Sequence, residues 1–215
     1  MIAKDGYKFI IYTGLVFTVL LILAFRFDFI LFTILAYCSG FLFVYNFFFL
    51  RDPERQTPKG DSFIISPADG TVIKIAEVDE PVYFKGKAQL ISVFMSVFNV
   101  HVNRIPISGE IEYLDYKKGQ YLAAFDDKAT DMNEQSMIGI KGVKGRVYFK
   151  QVAGILARRI VYHLKIGDIV QAGERFGLIR YGSRLDVFVP IDAKINVQLK
   201  QKVRSGITIL AEFNS

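Results

Sequence analysis

Charge is absent from two long stretches at the start of the chain. Phe9–Phe25 carries no charged residue, Arg26-Phe27-Asp28 is a short polar break, and Phe29–Leu50 is again uncharged. At 1.5 Å of helix per residue the stretches reach roughly 25 and 33 Å, about the thickness of a hydrocarbon core. They predict a transmembrane helical hairpin within residues 1–56, stopped by Arg51-Asp52-Pro53-Glu54-Arg55. The first stretch has no small-x-small cleavage site and a second follows at once, which argues against a signal peptide. A hairpin returns both its ends to one side. Lys4 and Lys8 at one end, and Arg51, Arg55 and Lys59 at the other, mark that side as cytoplasmic. The shortness of the break keeps a shallow re-entrant pair open as the alternative.

From Thr57 the pattern changes to turns and short runs rich in β-branched residues. Pro58-Lys59-Gly60-Asp61 and Ser66-Pro67-Ala68-Asp69-Gly70 read as turns, and Gly167-Asp168 and Gly173-Glu174 as two more. Thr71–Val78, Gln89–Val97, Gly109–Tyr116 and the glycine-broken Met137–Val152 read as strands. Asn99–Ile105 alternates, with His101, Asn103 and Ile105 on one face and Val100 and Val102 on the other. Gly119–Met137 is polar and poorly periodic and reads as a long loop, while Ala153–Leu164 reads as strand. The expectation is a mainly β domain over residues 57–215, a sandwich or partly open barrel, behind the N-terminal hairpin.

Composition narrows the chemistry. Cys38 is the one cysteine and lies in the apolar part, so neither a disulfide framework nor a Cys-based metal site is expected. Two histidines, His101 and His163, are too few for a His-rich metal centre, and no metal is expected. His163 follows an apolar run and reads as structural. The net charge of +6 is scattered along the chain and no nucleic-acid motif is present. Such a charge suits an anionic membrane surface better than a DNA groove.

Three places carry candidate chemistry, each with a plain structural reading beside it. Gly182-Ser183 lies between the apolar runs Phe176–Ile179 and Leu185–Pro190 and reads as a tight turn. Glycine also admits strained backbone geometry at little steric cost, and the serine hydroxyl that follows can turn back on the preceding carbonyl. That is the arrangement for an internal acyl shift with serine as nucleophile. Asp69 sits in an Asp-Gly turn, and a carboxylate there can orient a histidine. His101 on its strand is the general acid or base available near neutral pH. Sequence alone does not bring the three together.

Several stretches together are specific. They are Phe-Phe-Leu-Arg-Asp-Pro-Glu-Arg (48–55), Ser-Pro-Ala-Asp-Gly (66–70), Asn-Val-His-Val-Asn-Arg (99–104), Ala-Arg-Arg-Ile (157–160), Gly-Asp-Ile-Val-Gln-Ala-Gly-Glu-Arg-Phe-Gly (167–177) and Arg-Tyr-Gly-Ser-Arg-Leu-Asp (180–186). In this order the chain resembles the phosphatidylserine decarboxylase proenzymes, in the short class of bacteria and archaea. The resemblance implies self-cleavage into 1–182 and 183–215. Ser183 attacks the carbonyl of Gly182, elimination gives dehydroalanine, and loss of ammonia leaves a pyruvoyl group at position 183. Asp69 orienting His101 would supply the base. The pyruvoyl ketone would then form a Schiff base with the amine of phosphatidylserine and act as electron sink for loss of CO2, giving phosphatidylethanolamine. The two chains would stay together as a heterodimer, with a homo-oligomer of heterodimers as a further step, at the cytoplasmic face of the inner membrane. The longer bacterial class has a second histidine where this chain has Arg104. His101 would then serve cleavage, proton delivery or both, and Arg104, Asn103 and Glu134 are offered for substrate binding.

Two other readings stay open at this stage. One is the same chemistry on archaetidylserine. The other is a non-enzymatic membrane adaptor, because Gly-Asp-Ile-Val-Gln-Ala-Gly-Glu and Ser-Pro-Ala-Asp-Gly-Thr-Val also resemble the turns of biotinyl/lipoyl-type β domains. No lysine sits in the Met-Lys turn that carrier domains modify, and no Gly-x-Ser-x-Gly surrounds Ser183 to support a general serine hydrolase.

Overall fold

The computed structural model describes residues 1–27, 29–120, 132–154, 160–179 and 182–214. The chain divides into two units, Met1–Glu54 and Arg55–Ser215. In the first, a 3-10 turn at Lys4–Gly6 leads into α1 (Tyr7–Phe27), and α2 (Ile30–Phe49) returns antiparallel to it. Both helices are long and apolar enough to cross a membrane. A helix closes its own backbone hydrogen bonds, which is what an apolar surrounding demands. Glycine lets the pair approach closely. The Phe43 ring covers Gly14 and the Phe17 ring covers Gly40, and the two rings stack 6.1 Å apart. Asn46 Nδ2 donates to Thr13 Oγ1 at 3.3 Å across the helices. At the open end Ala3 N donates to Leu50 O at 2.9 Å and Asp52 N to Met1 O at 2.7 Å, so both ends of the hairpin meet.

The second unit is built of strands. In chain order these are β1 (Phe63–Ile65), β2 (Gly70–Glu80), β3 (Gly86–Met95), β4 (Val102–Arg104), β5 (Gly109–Lys117), β6 (Gln135–Lys141) and β7 (Arg146–Ala153). There follow β8 (Ile160–Tyr162), β9 (Ile169–Val170), β10 (Arg175–Ile179), β11 (Ser183–Pro190), β12 (Lys194–Ile195), β13 (Lys202–Val203) and β14 (Ile209–Glu212). Eight of them form one antiparallel sheet in the order β13-β2-β3-β11-β7-β6-β5-β9. Two three-stranded sheets, β1-β14-β12 and β4-β10-β8, complete the unit. This is the mainly β architecture that the turns and alternation predict. The expected loop over Gly119–Met137 is shorter at its C-terminal end, because Gln135 already opens β6. Its middle, 121–131, lies outside the described residues, as do 155–159 of the expected Ala153–Leu164 strand.

Both faces of the large sheet are covered. One face carries the main core, with Ile91 and Val93 of β3, Ile138 and Ile140 of β6, Val147 and Phe149 of β7, and Leu185, Val187 and Val189 of β11. The opposite face carries a smaller cluster of Ala88, Leu90, Met137, Tyr148 and Phe188. Val82, Tyr83 and Phe84 pack against that cluster from the turn after β2. The buried carboxylate of Glu80 holds this turn by accepting from the backbone N–H groups of Val82, Tyr83 and Phe84 at 2.9, 2.7 and 2.7 Å. A strand buried on both faces shows an unbroken run of burial, and β11 is buried from Ser183 to Val189.

Candidate active site

The main core becomes polar at one end of the sheet. Ser183 opens β11 and stands opposite Met95, the last residue of β3, and Ala153, the last residue of β7. Ser183, Met95 and Ala153 are all completely buried. The Ser183 hydroxyl donates to Met95 Sδ at 3.4 Å. Gly182, immediately before it, has φ +67°. A Cβ there would meet nothing within 4 Å, so the left-handed backbone rather than crowding is what favours glycine.

Asn103 of β4 reaches the same sulfur. Its Nδ2 lies 3.7 Å from Met95 Sδ and 3.4 Å from the Pro67 carbonyl, and its Oδ1 accepts from Gln151 Nε2 at 2.8 Å. Gln151 Oε1 in turn accepts from Ser136 Oγ at 2.6 Å, across the β6–β7 pairing that sets these two residues opposite each other. Behind Ser183, Asn133 Nδ2 donates to the Ala153 carbonyl at 2.7 Å, and Ala153 N donates to Glu134 O at 2.9 Å. The Glu134 carboxylate accepts from the Tyr116 hydroxyl. Asn133-Glu134 therefore fixes the end of β7 against which position 183 is paired.

His101 lies just before β4 and is 2% exposed. The turn before it is closed by Asn99, whose Oδ1 accepts from Ser96 N at 2.9 Å and Ser96 Oγ at 2.8 Å. His101 Nδ1 lies 2.9 Å from the Asn99 carbonyl. A carbonyl only accepts, so Nδ1 carries the proton and Nε2 carries the lone pair of the neutral ring. The backbone carbonyl of His101 accepts from Ile179 N at 3.4 Å, which brings the end of β10 beside the histidine.

Asp69 takes a partner that the sequence reading did not assign. Arg55 makes a two-pronged contact with its carboxylate, Nη2 to Oδ2 at 2.9 Å, and Ser205 N donates to Oδ1 at 2.8 Å. The side chains of Arg55 and Asp69 are 6% and 13% exposed, so this is a largely buried pair. The turn bearing Asp69 still meets β4. The Pro67 carbonyl accepts from Arg104 N and from Ser205 Oγ, both at 3.0 Å, besides Asn103. Arg104 is 5% exposed and gives Nη1 to the Gly173 carbonyl at 2.9 Å, a framework contact.

Beyond Ser183 the opposite face of β11 holds a second buried pair. Arg184 Nε and Nη2 lie 2.9 and 3.0 Å from the two carboxylate oxygens of Asp186, which also accepts from Ser92 Oγ at 2.6 Å. Breaking such a pair by removing one partner costs about 3–5 kcal/mol, so it fixes β11 immediately after the candidate nucleophile. The structure thus gathers Ser183, Asn103 and the His101 segment at one end of the sheet. It adds Met95, Gln151, Ser136 and Arg55, which sequence reasoning missed. For Gln151 and Ser136 a signal existed: each interrupts an apolar alternating row, Val147-Phe149-Gln151-Ala153 and Ser136-Ile138-Ile140.

Comparison with known proteins places this geometry. The profile of the family described as Phosphatidylserine decarboxylase matches residues 42–211. A phosphatidylserine decarboxylase proenzyme of Amoebophilus asiaticus is 46% identical over 184 residues, covering 85% of this chain and 82% of the relative. One from Symbiobacterium thermophilum is 41% identical over 214 residues, covering 99% and 96%. One from Wolbachia sp. subsp. Brugia malayi is 40% identical over 218 aligned residues, covering 99% and 91%. The matched span takes in Asp69, the His101–Arg104 stretch, Gly182-Ser183 and the whole polar end of the core, and on that footing the chain belongs to the phosphatidylserine decarboxylase family.

Proposed function

We propose that this chain is a membrane-anchored proenzyme that cuts itself between Gly182 and Ser183 and then decarboxylates phosphatidylserine to phosphatidylethanolamine. The observation that carries the reading is the state of the cut site. Ser183 is fully buried, its hydroxyl rests on a thioether, and the glycine before it has φ +67°. A thioether is a weak acceptor, so the hydroxyl gives up little when it turns to the Gly182 carbonyl. Its oxygen bonds to the carbonyl carbon as the peptide C–N bond breaks, and an ester replaces the amide. His101 Nε2 takes the hydroxyl proton and passes it to the nitrogen of residue 183 as the C–N bond breaks, leaving a free amine there. The Asn99 carbonyl behind Nδ1 orients the ring for this, while Asp69, bound by Arg55 and Ser205 N, braces the turn that meets β4 rather than backing the histidine directly. Loss of the α-proton of residue 183 expels the Gly182 carboxylate. The dehydroalanine left behind takes up one water and releases one ammonia, which makes the pyruvoyl group.

Position 183 fits such a group: it is completely buried and paired with Met95 and Ala153, and Asn103 reaches the same Met95 sulfur that the Ser183 hydroxyl touches. The group supplies a ketone for the substrate amine and a conjugated carbonyl for the electrons left by CO2. Asn103 is the side chain assigned to meet the substrate there, while Arg104 and Glu134 hold the walls. The apolar hairpin keeps the domain at the inner membrane, on the cytoplasmic side, where the lipid headgroup lies. Intact mass of the purified protein, beside Ser183→Ala, tests the reading. The expected result is a 183–215 fragment lighter than its plain sequence by one ammonia, with the variant whole. A wild-type chain that stays whole yet decarboxylates the lipid would overturn the pyruvoyl step. Cleavage with turnover of archaetidylserine and none of phosphatidylserine would overturn the substrate.

A further inference from the structure

Gln151 and Ser136 are left without a task by the chemistry above, yet both are completely buried at the polar end of the core. An amide and a hydroxyl placed in apolar rows destabilise the fold unless they are bonded. They are bonded, and the direction of the bonding is fixed from one end. The Pro67 carbonyl can only accept, so the side of Asn103 that faces it is the amide nitrogen, at 3.4 Å. The carbonyl oxygen of Asn103 must then face Gln151, which meets it with Nε2 at 2.8 Å. That leaves Gln151 Oε1 for the Ser136 hydroxyl at 2.6 Å. Every donor in the row points the same way, from Ser136 through Gln151 to Asn103. The last N–H group of the row, Asn103 Nδ2, shares Met95 Sδ with the Ser183 hydroxyl.

The structure assigns Gln151 and Ser136 as positioning residues that hold the Asn103 amide with its N–H2 turned toward position 183. The assignment rests on the reading of that position as the reacting one. An oxygen that gains negative charge at the 182–183 bond then meets a donor already aimed, drawn from a weak sulfur acceptor rather than from a strong bond. With the amide reversed, the same oxygen would meet the carbonyl of Asn103 and be repelled. Neither residue touches the reacting atoms. They act through Asn103, by polarity.

Polarity and mere packing are separable by experiment, using the full-length proenzyme in detergent. Self-cleavage is followed as the appearance of the two chains, and thermal unfolding is measured in parallel. Gln151→Glu keeps the shape, but an ionised carboxylate has no N–H for Asn103 Oδ1 and draws the amide into the reversed orientation. Its cleavage half-time is expected to lengthen by about 10²-fold or more, the scale of losing one aimed donor. Gln151→Met removes the bond without imposing the wrong polarity, because Pro67 still holds the amide; it is expected to be slower than wild type but faster than Gln151→Glu. Ser136→Ala is expected to be the mildest. Asn103→Asp, with Gln151 intact, presents the wrong oxygen directly and should match Gln151→Glu. It carries the test if Gln151→Glu does not fold. Rates that follow the unfolding temperatures, with Gln151→Met as slow as Gln151→Glu, would overturn the assignment. A wild-type chain that does not cleave would instead sink the reading of the site itself.

Discussion

Tyr148 lies completely buried in the smaller cluster, and among the described residues its hydroxyl has no hydrogen-bond partner. Burial first, then the negative charge of Glu80, pushes its pKa well above the ordinary value for a phenol. The sign of the consequence is fixed. Below the unfolded pKa of about 10 both states hold the proton and stability does not depend on it. Above that, the unfolded chain ionises and the folded one resists, so stability falls as pH rises. Tyr148→Phe is expected to be neutral or stabilising by up to about 1 kcal/mol near neutrality, and to weaken the alkaline fall. Urea unfolding at two pH values, one on each side of the phenol range, measures both. At this scale the sequence was informative where a residue's own chemistry sufficed. Gly182 has the left-handed φ that its place before a candidate nucleophile asks for. It was uninformative where a partner was needed. Asp69 is bound by Arg55, which in the sequence belongs to the charged stop after the apolar run.

The longer strands followed from β-branched runs set between turns, β4 from the alternation over Asn99–Ile105, and the helices from the absence of charge, while short strands such as β1 and β12 left no such pattern. What alternation does not contain is neighbour order. Nothing in β11 says that it lies between β3 and β7, and this order is what joins Ser183 to Met95 and Ala153. The start of β6 was hidden for a related reason. Gln135 and Ser136 break the apolar pattern, and the partner that makes Ser136 tolerable, Gln151, comes from the next strand. Among the turns, the one after β2 depends on a single side chain. Glu80→Gln replaces one accepting oxygen by a donor that faces backbone N–H groups, and is expected to cost about 1–3 kcal/mol. The chain has no tryptophan, so the fluorescence of its 11 tyrosines, among them Tyr83 in this turn and Tyr148 beneath it, follows unfolding. A lowered urea midpoint with an unchanged slope is the expected result; an unchanged midpoint would show that the turn does not need the carboxylate.

The proposed cut would divide the second unit unevenly. The segment after Gly182 holds β11, β12, β13 and β14. Of these, β11 pairs with β3 and β7, β13 with β2, and β14 with β1, all from the segment before the cut. It also places Leu185, Val187, Val189, Val203 and Leu210 in the main core. Ordinary and isotopically heavy processed enzyme, mixed and kept folded, are expected to yield no mixed pairs by mass spectrometry, whereas mixing followed by unfolding destroys both. Appearance of mixed pairs under folding conditions would show that the short segment leaves alone. A strand held at the centre of a sheet by both neighbours cannot depart without dismantling that sheet. The two products would therefore have no dissociation constant in the usual sense: dilution would not separate them, and their parting would be the same event as denaturation.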